Sequence, residues 1–244
     1  MKMLARASIL AIALTLPLQI HAQSIDAILA DPARPQADRD SDASRAPGQI
    51  LAFFGVGPGD RVADLLAGGG YFTRILVPLV GPSGQVYAGN NPFFQGFFGE
   101  AFDALLAQER FGNVVRVDGP VDALPLPRDA SLDVVLMSNA YHDIVLGDED
   151  RSVMNRTVFQ ALKPGGVYGI IDHAAAPGSG TSATESLHRI DKQFIIDEVE
   201  AAGFELAAEA DFLSHPSDDH SLMIFDPNMR GKTDRFILRF EKPR

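Results

Sequence analysis

Residues 62–76, VADLLAGGGYFTRIL, contain the feature that most restricts what this chain can fold into. An apolar run with β character reaches Asp64, passes through the glycines Gly68 to Gly70, and continues as an amphipathic helical pattern. Glycine allows a tight turn and lets a ligand lie against bare backbone, while a helix start offers unpaired N–H groups. The stretch therefore predicts a nucleotide-binding strand–loop–helix unit, although its spacing is not the dinucleotide pattern GxGxxG.

From Ile50 onward, strand and helix patterns alternate, which predicts an α/β fold with a mostly parallel sheet and helices on both faces. The last two strands have no helix between them, so we expect an antiparallel pair at one edge. Predicted strands cover 61–66, 85–89, 113–117, 132–138, 166–172, 205–212 and 234–241. Predicted helices cover 48–54, 70–80, 95–110, 149–162 and 190–202.

The N-terminal sequence predicts an exported protein. Residues 1–22 combine a short basic start, an apolar run broken by Pro17, and a small residue at Ala22, as in a secretory signal peptide. The apolar run is shorter than the roughly 20 residues needed to span a bilayer, so we expect cleavage and no membrane insertion afterwards. Residues 23–47 are predicted to form an N-terminal arm with a short helix near 25–30, and 48–244 one domain. The expected location is the periplasm or the medium.

The amino-acid composition limits the classes of molecule that the protein is expected to bind. The chain has 244 residues, a net charge of −11 and no cysteine, which excludes disulfides and thiolate chemistry. An acidic chain lacks the clustered bases that nucleic acids and anionic membranes require. We therefore expect a small-molecule substrate and no nucleic-acid partner. The sequence gives no indication of the oligomeric state.

Four stretches, in order, carry a family resemblance. They are the glycine stretch, QVYAGNN at 85–91, LDVVLMSNAYHD at 132–143 and ALKPGGVYGIID at 161–172. Together they resemble the class I S-adenosylmethionine-dependent methyltransferases, whose fold is a Rossmann-like seven-stranded sheet. The chain is also similar to a group of exported bacterial methyltransferase-like proteins that share AGGGY, YHD and the RGKTDRF found here at 230–236.

The resemblance implies S-adenosylmethionine as the cofactor. Asp64 would end the first strand beneath the methionine portion, and the glycine loop would allow close backbone approach. Two positions depart from the family pattern: Leu66 replaces the first loop glycine, and Asn90 replaces the acid that usually holds the ribose hydroxyls. The residues expected to bind the cofactor are Asp64, Ala67, Gly68, Gly70, Asn90, Asp118, Asp122 and Asn139.

Residues after the fourth strand are the predicted catalytic group. His142 is a candidate base and Asp143 a carboxylate that could orient it. Adjacent strand residues point to opposite faces, so joint action requires a loop, which Asn139 favours. Tyr141, His173 and His188 are expected to face the substrate. The alternative is that His142 only satisfies buried backbone groups.

The leading interpretation is a methyltransferase acting on a small acceptor, with no metal site. One alternative is a non-catalytic module that binds an adenosyl compound or another small ligand. Another is a metal-dependent enzyme using the three histidines and Asp143, although no compact motif such as HExxH is present. His215 and His220 give a weaker version of that hypothesis. Five phenylalanines between 93 and 102 are expected mainly in the core, with some available to cover the cofactor.

Overall fold

The structure is a computed structural model that describes residues 23–244, so the predicted signal peptide lies outside the described residues. Seven strands form one sheet in the order β3-β2-β1-β4-β5-β7-β6. They are β1 Arg61–Leu65, β2 Gln85–Gly89, β3 Val114–Arg116, β4 Leu132–Ser138, β5 Leu162–His173, β6 Glu205–Ala210 and β7 Arg235–Glu241. Every predicted strand is present, and β5 begins at Leu162 instead of residue 166.

Helices connect the strands over both faces of the sheet. Within 23–244 they are α1 Ile25–Leu29, α2 Gln36–Arg45, α3 Pro47–Phe54, α4 Tyr71–Val80, α5 Pro92–Leu106, α6 Tyr141–Ile144, α7 Arg151–Ala161, α8 Thr184–Leu187 and α9 Lys192–Glu200. Short 3-10 helices span Glu109–Phe111 and Val121–Ala123. The sequence predicted α1, α3, α4, α5, α7 and α9.

The sheet is parallel except at its carboxyl-terminal edge. Strands β1 to β5 run parallel to one another, whereas β7 pairs antiparallel with both β5 and β6. The predicted fold class is confirmed, including the antiparallel final pair. Strand order reverses at β1, which lies between β2 and β4, and an open α/β sheet binds ligands at the carboxyl ends of the strands beside such a reversal.

Two apolar layers cover the sheet. Ala63 and Leu65 of β1 pack with α7 and α9 on one face, while Val62 packs with α3 and α4 on the other. This division follows from the alternation of side chains along a strand. In the part of the chain described here, no helix is both long and apolar enough to cross a membrane.

Helix α2 was not predicted, because its sequence QADRDSDASR has no apolar stripe and no buried residue. Polar contacts hold it in place. Arg34 forms two 2.7 Å hydrogen bonds to Asp42, and the Tyr71 hydroxyl donates to the same carboxylate over 2.6 Å. Since Tyr71 begins α4, these contacts place α2 beside the helix that follows the glycine loop.

Candidate active site at the carboxyl ends of the strands

The loop after β1 turns through two glycines with positive φ. Gly68 has φ 57° and Gly70 has φ 86°, and Gly70 is the N-cap of α4. A Cβ on Gly70 would lie 2.2 Å from Leu105 Cδ2, so both the backbone angle and the packing of α5 require glycine there. A Cβ on Gly69, in contrast, would meet no atom within 4 Å. Bare backbone at Gly69 therefore faces open space.

Leu66 occupies the place of the family's first loop glycine and keeps a glycine-like conformation. Its φ is 53°, a left-handed value that costs an ordinary L-residue about 1–2 kcal/mol. The leucine side chain is nonetheless buried in the apolar layer that the sheet forms with α7 and α9. Burial of the leucine side chain offsets the backbone strain.

Asp64 is buried and bonded to the helix that follows the loop. Its Oδ2 accepts the Thr73 hydroxyl over 2.6 Å, and the Thr73 backbone N–H also donates to the carboxylate. Burial raises the pKa of Asp64 to about 6, against the lowering effect of these hydrogen bonds. In this arrangement Asp64 joins the end of β1 to α4.

Asn90 is bonded to the glycine loop on both polar atoms of its side chain. Oδ1 accepts the Gly68 N–H over 2.8 Å, and Nδ2 donates to the Gly68 carbonyl over 3.0 Å. The residue is 1% exposed. The amide that replaces the family's ribose-binding acid thus acts as a tie between β2 and the loop.

The other predicted cofactor residues near β2 and β3 support loops. The Ala67 N–H donates to the Gly89 carbonyl over 3.1 Å. Asp118 accepts the Asn90 N–H over 2.8 Å and pairs with Arg116. Asp122 accepts the Asp150 N–H over 3.2 Å. These residues follow the carboxyl ends of the strands, and the contacts use part of their hydrogen-bonding capacity.

Asn139 bends the chain between β4 and α6, as its position in the sequence favoured. Its φ is 52°, and its N–H donates to the Ile171 carbonyl over 2.7 Å. Helix α6 then begins at Tyr141, so His142 and Asp143 lie on a helical turn and can act together. The Asn139 Oδ1 is buried with no hydrogen-bond partner among the described residues.

His142 is held by Asp172, a partner that the sequence did not identify. Asp172 Oδ1 lies 2.6 Å from His142 Nδ1, and Asp172 Oδ2 accepts the His142 backbone N–H over 3.0 Å. Because a carboxylate can only accept, Nδ1 carries the proton and Nε2 of the neutral ring has a free lone pair. Burial favours the neutral ring, but the charge and hydrogen bond of Asp172 outweigh it and raise the pKa of His142.

Asp143 lies between two histidines. Its Oδ1 is 3.4 Å from His142 Nε2 and 3.2 Å from His188 Nδ1. Burial is the main cause that raises the pKa of Asp143, and both histidines oppose it. The three side chains thus form one cluster, here called the His142–Asp143–His188 cluster, which is partly open to solvent at Asp143 and His188.

His173 stands beside the cluster and bonds to a different partner. Its ring centroid is 5.9 Å from that of His142, and its Nδ1 lies 2.9 Å from the Thr233 hydroxyl. Burial lowers the pKa of His173 to about 3, so the ring is neutral. Thr233 belongs to the RGKTDRF segment, and no pattern in the sequence pointed to its contact with the fifth strand.

Tyr141, unlike Asp143 on the same helical turn, is fully buried. Its hydroxyl donates to Glu198 over 2.9 Å and accepts from Asn155 over 2.9 Å. The helical turn of α6 directs Tyr141 into the core while His142 faces Asp172. The Tyr141 hydroxyl thus contacts Glu198 and Asn155, and its contact with a substrate stays a prediction.

The phenylalanines of α5 divide between core and surface. Phe94 and Phe102 are buried, whereas Phe93, Phe97 and Phe98 are exposed. The Phe98 ring lies over the glycine loop, 3.7 Å from the position of a Cβ on Gly68. Because three of the five are exposed, the expectation that these side chains lie mainly in the core is wrong.

Relatives by sequence match one part of the chain. No protein-family model matches it. Over 120 residues it is 34% identical to the ubiquinone/menaquinone biosynthesis C-methyltransferase UbiE of Pasteurella multocida strain Pm70, covering 46% of this chain and 39% of that protein. UbiE of Ectopseudomonas mendocina strain ymp is 32% identical over 112 residues, with 46% and 41% covered. The chain thus spans about two fifths of the length of the curated relatives it matches.

Solved structures match almost the whole chain. A SAM-dependent methyltransferase from Aquifex aeolicus covers 89% of this chain and 98% of its own, with a TM-score of 0.59 and 19% identity. The fold is that of the class I methyltransferases. The cyclase SpnF also matches, with a TM-score of 0.58 and 17% identity over 82% of this chain and 81% of that chain. The same fold is therefore found in a protein named for a different reaction.

Proposed function

We propose that this protein is an S-adenosylmethionine-dependent methyltransferase that acts on a small acceptor. One observation carries the proposal: the glycine loop after β1, His142 after β4 and Asp172 at the end of β5 lie at the same edge of the parallel sheet. A cofactor on the loop would thereby have a base on its acceptor side. The class I fold and the likeness to UbiE support this assignment.

Two groups near the glycine loop are available to the methionine half of the cofactor. Asn139 Oδ1 is a buried acceptor with no partner among residues 23–244, and it follows the strand beside β1. Such an oxygen suits a cationic amino group. The open backbone of Gly69 gives a second surface on which a ligand could lie without a side chain in the way.

The adenosine half has fewer free acceptors. Both side-chain polar atoms of Asn90 are engaged with Gly68, and Asp118 and Asp122 already accept backbone N–H groups. A ribose diol would have to share these acceptors with the bonds that they already make. We therefore expect weaker cofactor binding than a free carboxylate at position 90 would give.

Methyl transfer needs a positioned acceptor and a place for its proton. Bound at the loop, S-adenosylmethionine would supply a methyl group on a positively charged sulfur, which keeps the electron pair of the broken bond. His142 Nε2 accepts the proton that the acceptor loses. Asp172 holds Nδ1, which leaves Nε2, beside Asp143, as the basic nitrogen, and its charge stabilises the imidazolium ion that forms. The rest of the rate enhancement comes mainly from holding the acceptor in line with the methyl group.

A labelled-methyl assay tests this function. The protein is incubated with methyl-tritiated S-adenosylmethionine and a panel of quinols, phenols, amines and carboxylic acids, with quinols included because of the UbiE likeness. We expect transfer to at least one acceptor and a loss of about 10²–10⁴-fold in His142→Gln. His215→Gln, in the β6–β7 connection, is the control and should retain the rate. Equal rates in wild type and His142→Gln would contradict the role of His142.

A second candidate function is a non-catalytic module that binds an adenosyl compound or another small ligand. The engagement of Asn90 with Gly68 favours it, because the side chain at the ribose position serves the protein itself. Saturable binding of S-adenosylmethionine with no transfer to any acceptor would favour this function over the first.

We also propose that the protein acts outside the cytoplasm. The support is the signal-like pattern of residues 1–22 and the absence of cysteine. Expression in a bacterial host, fractionation and N-terminal sequencing test it. A periplasmic protein beginning near Gln23 is expected, whereas an uncleaved cytoplasmic protein would contradict the proposal.

A further inference from the structure

Two histidines and one carboxylate converge beside the proposed acceptor position. One ligand atom each from His142, Asp143 and His188 lie within 4.8 Å of one another. The two shorter separations, 3.4 Å from Asp143 Oδ1 to His142 Nε2 and 3.2 Å to His188 Nδ1, are already close to the spacing around a metal ion. Ligands bonded at zinc–ligand distances in a tetrahedral site are about 3.4 Å apart.

His142 Nε2 and Asp143 Oδ1 face each other over 3.4 Å and need a proton or a metal ion between them. His142 Nδ1 donates to Asp172, so the Nε2 lone pair of the neutral ring faces a carboxylate oxygen of Asp143. Two electron-rich atoms that face each other are favourable only with a proton or a metal ion between them. The carboxylates of Asp143 and Asp172 together bring two negative charges to His142, which a divalent ion would neutralise.

The surroundings also have the form of a metal site. Asp172 holds the far nitrogen of His142, which is the carboxylate–histidine arrangement that orients imidazole ligands in metalloproteins. His188 has φ 52°, a strained conformation for a non-glycine residue that directs its ring toward Asp143. The side chains of Asp143 and His188 are 15% and 24% exposed, so an ion could enter from solvent.

We propose that His142 Nε2, Asp143 and His188 Nδ1 bind a divalent transition-metal ion of the zinc or iron(II) class. Imidazole with one carboxylate suits these ions better than magnesium or calcium. Three protein ligands leave positions open for water or for an oxygen of the acceptor. The base role proposed above for His142 Nε2 belongs to the metal-free protein, because with the ion bound that nitrogen is a ligand. The ion itself then makes a coordinated hydroxyl more acidic, and its proton leaves to solvent.

This inference goes beyond methyl transfer, because metal binding is measured without cofactor or acceptor. Protein stripped with EDTA is titrated with Co²⁺ while visible absorption is recorded, and Zn²⁺ is then added as a competitor. We expect one equivalent of Co²⁺ to bind with d–d absorption bands, and Zn²⁺ to remove those bands. Absence of saturable Co²⁺ binding would overturn the proposal.

A matched pair of histidine variants locates the site. His188→Asn removes a ligand but keeps a residue that tolerates positive φ, and it should weaken Co²⁺ binding at least about 10-fold. His220→Asn is the control, because His220 also has positive φ, 62°, and lies 3.1 Å from Asp234. It should bind Co²⁺ as the wild type does. Unchanged affinity in His188→Asn, or equal losses in both variants, would overturn the assignment.

A measurement on the wild type keeps the test independent of variant folding. Long-range ¹H–¹⁵N spectra of the histidine rings are recorded with and without one equivalent of Zn²⁺. We expect metal-bound nitrogen shifts at Nε2 of His142 and at Nδ1 of His188, with His215 and His220 unchanged. Zinc-induced shifts confined to His215 and His220, or no shifts, would contradict the proposed ligands.

Discussion

Asn90 and Gly68 hold each other through two reciprocal hydrogen bonds, 2.8 Å from the Gly68 N–H to Asn90 Oδ1 and 3.0 Å from Asn90 Nδ2 to the Gly68 carbonyl. The pair fixes the glycine loop to the end of β2. It also uses the side chain that stands at the family's ribose-binding position. The structural role of Asn90 and any contact of its side chain with a ligand therefore compete for the same atoms.

Replacing the Asn90 amide, which donates to the Gly68 carbonyl, should destabilise the folded protein. In Asn90→Asp a carboxylate oxygen would face the Gly68 carbonyl, and the buried acceptor would lose its partner. We expect the free energy of unfolding to fall by about 1–3 kcal/mol at pH 7 in urea titrations. Near pH 3 the introduced carboxyl group is protonated and can donate again, so the loss should shrink. A loss that is the same at both pH values would contradict the reciprocal bonding.

Asp64 should make stability depend on pH. Its pKa is about 6 in the folded protein and 3.8 as an ordinary value, a difference worth about 3 kcal/mol. Between these values the folded state holds more protons than the unfolded state, so the free energy of unfolding falls as pH rises. Asp64→Asn lacks this titration. Its stability relative to the wild type should rise by about 2 kcal/mol between pH 4 and pH 7, and a constant difference would contradict this account.

Leu66 offers a test of backbone strain in the loop. At φ 53°, Leu66→Gly should be more stable than Leu66→Ala by about 1 kcal/mol, because both lose the leucine packing beyond Cβ but only alanine keeps the backbone strain. Leu124 is the matched control, since it is also buried and has φ −57°. There the alanine variant should be the more stable one. Thermal unfolding of the four variants gives both comparisons, and the same order at both sites would rule out strain at Leu66.

Asp172 should affect the reaction through His142. In Asp172→Asn the ring loses the charge that orients it, and we expect methyl transfer to fall by about 10²–10⁴-fold. Affinity for S-adenosylhomocysteine should stay within about 3-fold, a small change in binding free energy. The control is Asp191→Asn, a buried carboxylate that accepts from Gly178 and lies outside the cluster. A parallel loss of ligand affinity and rate in Asp172→Asn would indicate a structural role instead.

The sequence was sufficient to predict the sheet because strand and helix periodicities alternate clearly from Ile50 onward. The glycine pattern further located the turn that begins α4. Helix α2 could not be predicted in the same way, since polar bonds such as Arg34–Asp42 hold it without an apolar stripe. The predicted parallel strands also place the residues at the carboxyl ends of β4 and β5 at one edge of the sheet.

The details of the site depended on contacts between residues distant in the chain. His142 and Asp172 are 30 residues apart, and the sequence showed both at strand ends but gave no reason to pair them. Tyr141 and Asn90 were assigned to ligands from their positions in motifs. Their actual partners, Glu198 and Gly68, are set by side-chain direction, which a single sequence does not specify.

Calorimetric titration of the protein with S-adenosylmethionine and S-adenosylhomocysteine tests the central claim most directly. We predict saturable 1:1 binding of both ligands. Gly69→Val should abolish that binding, because its Cβ enters open space over the loop, with no protein atom within 4 Å. Gly96→Ala on α5, where a Cβ also meets no atom, should bind normally. No binding by the wild type at millimolar ligand would contradict the account.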